Sequence, residues 1–325
     1  RELEKMNESI IETKNLYVYY NDVPIVRNVS LKLKRGKILG IVGESGCGKT
    51  TLLRALMALG TKGERYEGSV LFNGREIIGM DENSLRELRG RDMSMVPQNA
   101  TAAMDPTGTI SSLFYETLRS HGFKGSRGES DRRAAAIMES LMLENTQRLL
   151  KSYPFELSGG MCQRIAIAAA MVNSPSLILG DEPASALDTV NQAEVVKELK
   201  RLRDENGVSI ILISHSVGVV AAAADEIAVM YGGRIVETAS KNELISSPLH
   251  PYTKALIDAV PDMKGNISKG LDGEPPSFTK ELLGCPFYDR CAKRKDECRK
   301  FEFDLKKATD GHYVGCILFS ESGDI

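Results

Sequence analysis

Gly43-Glu44-Ser45-Gly46-Cys47-Gly48-Lys49-Thr50, followed by Thr51, has the spacing G-x-x-x-x-G-K-[ST]. That spacing suits one task. Glycines let backbone N–H groups curl around phosphate oxygens, and the start of a following helix adds the positive end of its dipole. A lysine, here Lys49, neutralises β/γ oxygens, and a hydroxyl, here Thr50, ligates Mg²⁺. Alone, the loop says only that a nucleoside triphosphate is bound, since kinases, GTPases and motor ATPases share it. A second group of reactive side chains lies far along the chain: Cys285, Cys291, Cys298 and Cys316 fall within 32 residues. A metal staple is one reason for four thiols to gather in a tail with little core-forming pattern. Zinc sites favour closely spaced C-x₂₋₄-C pairs, whereas five, six and seventeen residues separate these cysteines, and iron–sulfur ligation tolerates varied spacing. Zinc stays open, as do four free thiols in a packed tail.

The elements around the loop fit its task. Ile10–Val18, Val29–Leu33 and the apolar run Ile38–Val42 read as strands. The loop follows the last of these. Thr50–Leu59 then has helical spacing of Leu52, Leu53, Leu56 and Leu59, with Gly60 as the expected C-cap. Residues 99–172 are richer in helical pattern: Ser130–Leu143 opens with Asp131, and Gly160–Val172 is rich in Ala and Ile. Strand signals return at Leu177–Leu179, Val208–Ile213 and Ile227–Met230. Alternating strands and helices predict an α/β fold with a mostly parallel, doubly wound sheet and an inserted helical subdomain. After about Ser240, Pro248, Pro251, Pro261, Pro275 and Pro276 punctuate a linker-like stretch leading to the cysteines.

Further motifs separate the candidate classes. Leu157-Ser158-Gly159-Gly160-Met161-Cys162-Gln163 resembles the signature of the ABC (ATP-binding cassette) family. Leu177-Ile178-Leu179-Gly180-Asp181-Glu182-Pro183 resembles its Walker B strand, and Ser185-Ala186-Leu187-Asp188 its D-loop. Ile213-Ser214-His215 resembles the strand ending in the switch histidine, and Val96-Pro97-Gln98 the Q-loop. Tyr20 falls where an adenine-stacking aromatic belongs. Taken singly, Tyr20, Gln98 and His215 would be ordinary residues; their order carries the resemblance. The tail narrows it. His250-Pro251-Tyr252-Thr253-Lys254-Ala255-Leu256, Gly273-Glu274-Pro275-Pro276 and Cys285-Pro286-Phe287 with the later cysteines look like the C-terminal extension of oligopeptide/dipeptide importer ATPases. Cys162, Gly180 and Ser216 depart from that family, which commonly has Arg, Ala and Asp there. A guanine-specific [NT]-K-x-D sequence is absent, as is a kinase-like H-R-D.

The resemblance implies a P-loop ABC nucleotide-binding domain over residues 1–240, with antiparallel N-terminal strands and the helical subdomain at about 99–172. It implies a cysteine-rich C-terminal extension over residues 241–325. ATP lies against Tyr20 and Gly43–Thr51, with Mg²⁺ held through Thr50, Gln98 and Asp181. Glu182 serves as general base, His215 holds the γ-phosphate and water in line, and Gln98 links the core to the helical insert. Ser158, Gly159, Gly160, Met161 and Asp188 act across a head-to-tail dimer on ATP held by the other cassette. Two transmembrane permease subunits are the implied partners, with a second ATPase, sister chain or second copy, and indirectly an extracytoplasmic solute-binding protein. The implied place is peripheral, on the cytoplasmic face of the cell membrane. The solute is expected to be a di- or oligopeptide, with nickel, glutathione or an oligosaccharide as alternatives. The tail cysteines are expected to hold a [4Fe–4S] cluster, with zinc as the rival.

Composition agrees with this and excludes little else. The 325 residues are 42% hydrophobic and 26% charged with a formal net charge of −2, so no positive field invites nucleic acid. A non-transport ABC ATPase of translation or DNA maintenance, with paired cassettes or a basic surface, is the weaker alternative. Ile165–Gly180 and Gly207–Ala224 nearly lack charge, but their internal Ser, Asn, Pro, His and Gly residues suggest a buried helix and strand joined by a turn. No membrane span and no signal peptide are expected, and the cysteines point to a reducing compartment.

Overall fold

Asn21-Asp22 sets the first hairpin. Both residues have positive φ, 45° and 64°, the twist a two-residue turn needs to match its strands. The turn joins β1 (Ser9–Tyr20) to β2 (Val23–Val29), with Tyr20 opposite Val23. The computed structural model describes residues 9–185, 189–260, 271–278 and 283–320. The chain divides into two compact units: Arg1–Leu33, Ile38–Ile78 and Ile213–Ile325 form one, and Lys34–Lys37 with Gly79–Leu212 form the other.

In the first unit β3 (Lys32–Lys34) also pairs with β1, followed by β4 (Ile38–Val42), β5 (Glu64–Phe72) and β6 (Arg75–Glu76). One sheet runs β2-β1-β5-β6, and its β1 pairings with β2 and β5 are antiparallel. β4 is buried at all five residues, the continuous apolar pattern of a strand covered on both faces. It carries the loop into α1 (Lys49–Ala55). The helix ends earlier than its leucine spacing predicts: Ala58, at φ 49°, takes the left-handed position expected of Gly60.

The second unit contains α2 (Glu82–Leu88), β7 (Met93–Val96), α3 (Ala100–Ala103), α4 (Ile110–Ser120), α5 (Arg127–Ser140), α6 (Thr146–Lys151), α7 (Gly159–Met171), β8 (Leu177–Asp181), α8 (Thr189–Asn206) and most of β9 (Ser209–Ser214). The strands neighbour one another in the order β9-β8-β7, with β7 and β8 parallel. Phe114, Met138, Leu141, Ile165 and Ile167 are fully buried among these helices. α5 begins before Asp131, because Ser126 and Glu129 form a reciprocal capping box that satisfies the first backbone N–H groups.

The first unit resumes with α9 (Val217–Ala223), β10 (Glu226–Tyr231), β11 (Arg234–Ser240), α10 (Lys241–Ser246), α11 (Pro251–Asp258), β12 (Lys306–Thr309), β13 (His312–Val314) and α12 (Ile317–Ser320). β10 runs parallel to β4 and antiparallel to β11. The tail does not hang from this sheet as a linker. β13 pairs with β11, and β12 with β13, both antiparallel, so the order becomes β12-β13-β11-β10-β4. The N-terminal strands are antiparallel as expected, whereas the strands expected to be mostly parallel are mixed: β10–β4 and β7–β8 are parallel, and β10–β11, β11–β13 and β12–β13 antiparallel.

Candidate nucleotide site

In the first unit the loop after β4 is fixed by close backbone contact. A Cβ on Gly43 would stand 2.2 Å from the Met230 carbonyl oxygen, and Gly46 and Gly48 have φ of 78° and 105°. Only glycine occupies these three positions without strain or clash. Lys49 is 5% exposed, and its Nζ donates to the carbonyls of Gly43 at 2.8 Å and Glu44 at 3.0 Å. The ammonium is thus held inside the curl of the loop, with hydrogen-bonding acceptors that a phosphate oxygen can replace. Ser45, Gly46 and Thr50 are exposed at the mouth, and Thr51 is half-buried behind them. Cys47 is buried beside Lys49, and desolvation pushes its thiol pKa up. Tyr20, 48% exposed, ends β1, while His215 is exposed just past β9.

The second unit carries the remaining groups. Gln98 is exposed between β7 and α3. β8 is buried at all five residues and delivers Asp181, 5% exposed, at its end. Glu182 follows at φ 46°, a left-handed conformation uncommon for glutamate, and its carbonyl accepts from the Ser185 hydroxyl at 3.0 Å. Ser158 caps α7, its Oγ accepting from Met161 N–H at 3.3 Å. Ser158 and Gly159 are exposed, and Gly160 and Met161 are half-buried, so this N-terminus faces outward. Asp188 lies outside the described residues.

The tail yields a correction. Among the described residues no group of three or more His, Cys, Asp or Glu side chains is placed to hold a metal ion. The expected cluster on Cys285, Cys291, Cys298 and Cys316 therefore has no ligating arrangement behind it. The four thiols do line one cavity together with His250, Phe287 and Tyr288. Burial in that enclosure raises the pKa values of Cys291 and Cys316 and pushes Cys285 up to about 12, which favours neutral thiols.

A profile for ABC transporters matches residues 26–185, and one for the C-terminal region of oligopeptide/dipeptide transporters matches residues 236–298. The dipeptide transport ATP-binding protein DppD of Bacillus subtilis (strain 168) is 35% identical over 319 residues, 96% of this chain and 95% of its own length. The chain belongs to the ATP-binding subunits of oligopeptide/dipeptide ABC transporters. The oligopeptide transport ATP-binding protein OppF of Escherichia coli (strain K12) is 40% identical over 297 residues, 90% of this chain and 87% of its own. Among solved structures, the dimeric MJ0796, a bacterial ABC transporter cassette, matches with a TM-score of 0.64 and 28% identity, covering 71% of this chain and 98% of that one. The chain is accordingly an ATP-hydrolysing cassette of that family.

Two residues that hold the phosphate loop of this ABC subunit escape a motif reading. Tyr252, fully buried, accepts from Glu44 N–H at 3.0 Å, and Arg290 pairs with the Glu44 carboxylate. Tyr252 sits in the tail motif His250–Leu256, which gave a signal of family but none of location. Arg290 stands in the sequence among Lys293, Arg294, Lys295 and Arg299, with nothing to mark it from them.

Proposed function

We propose that this chain is a motor of a membrane importer of di- or oligopeptides, converting ATP binding and hydrolysis into alternate closure and opening of a pair of cassettes. The observation that supports it most is the loop around Lys49: glycines at positions closed to side chains, a buried ammonium held by loop carbonyls, and an exposed rim at Ser45, Gly46 and Thr50. Phosphoryl transfer to water is mostly a matter of positioning and charge, and such a loop supplies both. In this reading the loop amides and Lys49 hold the β/γ-phosphates, and Tyr20 stacks on the adenine. Thr50, Asp181 and Gln98 would hold Mg²⁺, which would supply positive charge against the phosphates. Glu182 takes a proton from the attacking water, and His215 keeps water and γ-phosphate in line. Ser158–Met161 and Asp188 complete the site of a facing cassette, a sister ATPase or a second copy.

The solute follows from the kinship to dipeptide and oligopeptide transport proteins over nearly the whole chain, tail included. Two permease subunits and a solute-binding protein complete the importer, with this chain peripheral on the cytoplasmic face; among the described residues no helix is long and apolar enough to cross a membrane. The test is reconstitution of the chain with its permeases and binding protein in vesicles, followed by uptake of labelled peptides. ATP-dependent peptide uptake is expected. Uptake of nickel, glutathione or an oligosaccharide in its place would overturn the solute. For the tail, a [4Fe–4S] cluster on Cys285, Cys291, Cys298 and Cys316, with zinc as the rival, is supported by the cavity the four thiols share and by nothing else among the described residues. Anaerobic purification with visible absorption and metal analysis decides among cluster, zinc and free thiols.

A further inference from the structure

Glu44 places a carboxylate at the second position of the loop, close to where a triphosphate has to arrive. Its counter-ion comes from the far end of the same compact unit. Arg290 Nη1 donates to Glu44 Oε2 at 2.6 Å, and Nη2 donates to Oε1 at 3.0 Å. The guanidinium is itself fixed: Nε donates to Asp272 O at 2.9 Å, Nη2 to Leu271 O at 3.3 Å, and Nη1 to the Tyr231 hydroxyl at 3.2 Å. Only 5% of the Arg290 side chain is exposed, against 24% for Glu44.

The surroundings of this pair are stiff. Tyr231, Tyr252 and Phe287 pack their rings at centroid distances of 4.5, 5.2 and 5.4 Å, and the Tyr252 hydroxyl accepts the Glu44 backbone N–H. Glu44 is thus gripped at both its amide and its carboxylate by residues of the C-terminal region. The same peptide unit carries the Gly43 carbonyl that accepts from Lys49, and the Glu44 carbonyl accepts from it too.

We propose that Arg290 is a positioning residue of the nucleotide site: it neutralises Glu44 and holds the opening turn of the phosphate loop in the form that admits a polyphosphate. Arg290 does not touch the nucleotide; it acts through Glu44. A planar fork bound to both carboxylate oxygens fixes direction as well as charge, which a lysine does only in part. Without it, a partly buried carboxylate stands uncompensated beside a loop built for anions. The inference rests on reading residues 43–50 as the nucleotide cradle, and the experiment separates the two.

Equilibrium binding of a fluorescent ATP analogue with Mg²⁺ to the full chain is the primary measurement, with KM and kcat for ATP beside it. Arg290→Ala is expected to weaken binding about 10-fold or more, raising KM with little change in kcat at saturating ATP. The loss should shrink as salt rises, because the repulsion is screened. Arg290→Lys should recover part of the affinity, and Glu44→Gln in the Arg290→Ala background should restore most of it, since it removes the uncompensated charge. If Lys49→Ala, run in parallel, binds ATP as the parent does, the cradle reading itself fails. If Lys49→Ala loses binding while Arg290→Ala, with an unchanged melting temperature, keeps it, the positioning role is overturned. Failure of Glu44→Gln to restore binding in a folded double variant overturns it equally. Should Arg290→Ala not fold, Arg290→Gln replaces it with the same outcomes.

Discussion

Glu182 stands directly after the buried strand that ends in Asp181, in a left-handed conformation that costs roughly 1–2 kcal/mol for a residue with a Cβ. Strain of this kind collects where a side chain has to be aimed. If Glu182 is the general base, as proposed, Glu182→Gln keeps the shape and removes the proton acceptor, so turnover is expected to fall about 10²–10⁴-fold with ATP binding retained; steady-state hydrolysis beside nucleotide binding checks this, and near-normal hydrolysis would reject Glu182 as base. The three departures from the family pattern also have local accounts. Cys162 is fully buried and donates to Pro154 O at 3.4 Å. Ser216 caps α9 through Val219 N–H at 3.4 Å. A Cβ on Gly180 would meet Pro183 Cγ at 3.2 Å, tight but open to adjustment. At this scale the sequence was most legible where chemistry demands a residue type at a fixed spacing, as in the loop around Lys49. Arg290 was illegible, because its meaning depends on a partner 246 positions away.

Glu237 shows how elements hold one another. It is fully buried on β11 and accepts from the Leu249 and His250 N–H groups, each at 2.8 Å. It also pairs with His312 Nε2 at 2.7 Å, tying β13 and the start of α11 to one strand. Glu237→Ala leaves those buried groups without an acceptor and should cost about 3–5 kcal/mol, read as a fall in melting temperature. His250 gives the pH dependence. Burial lowers its pKa from 6.5 to about 3, so below 6.5 the unfolded chain binds a proton that the folded chain refuses. Its contribution is full above 6.5 and is lost at about 1.4 kcal/mol per pH unit as pH falls towards 3. Urea unfolding at pH 7 and pH 5 should show a loss of about 2 kcal/mol that His250→Asn reduces, since Asn can still cap α11. Elements with an unbroken apolar run, such as Ile38–Val42, were legible in advance. β2, β5 and the β12–β13 hairpin were not, because short strands with mixed exposure carry little pattern until their neighbours are known.

For the molecule as a whole, the exposed start of α7 is, under the proposed function, the group that meets ATP held by a facing cassette. Saturating Mg²⁺ and ATP should therefore drive the Glu182→Gln chain into a dimer, with itself or with a sister ATPase, and light scattering of each mixture measures it. A strict monomer in both mixtures would remove the facing-cassette arrangement. The pairing of β13 with β11 bears on a different practice, that of trimming a subunit to its smallest working core. A chain cut after Ser240 would surrender the partner of a strand whose edge is lined with open hydrogen-bonding groups, and neighbouring copies would be offered that edge in its place. The shortened cassette should come out of cells as inclusion bodies, and the boundary for a soluble fragment lies beyond Val314.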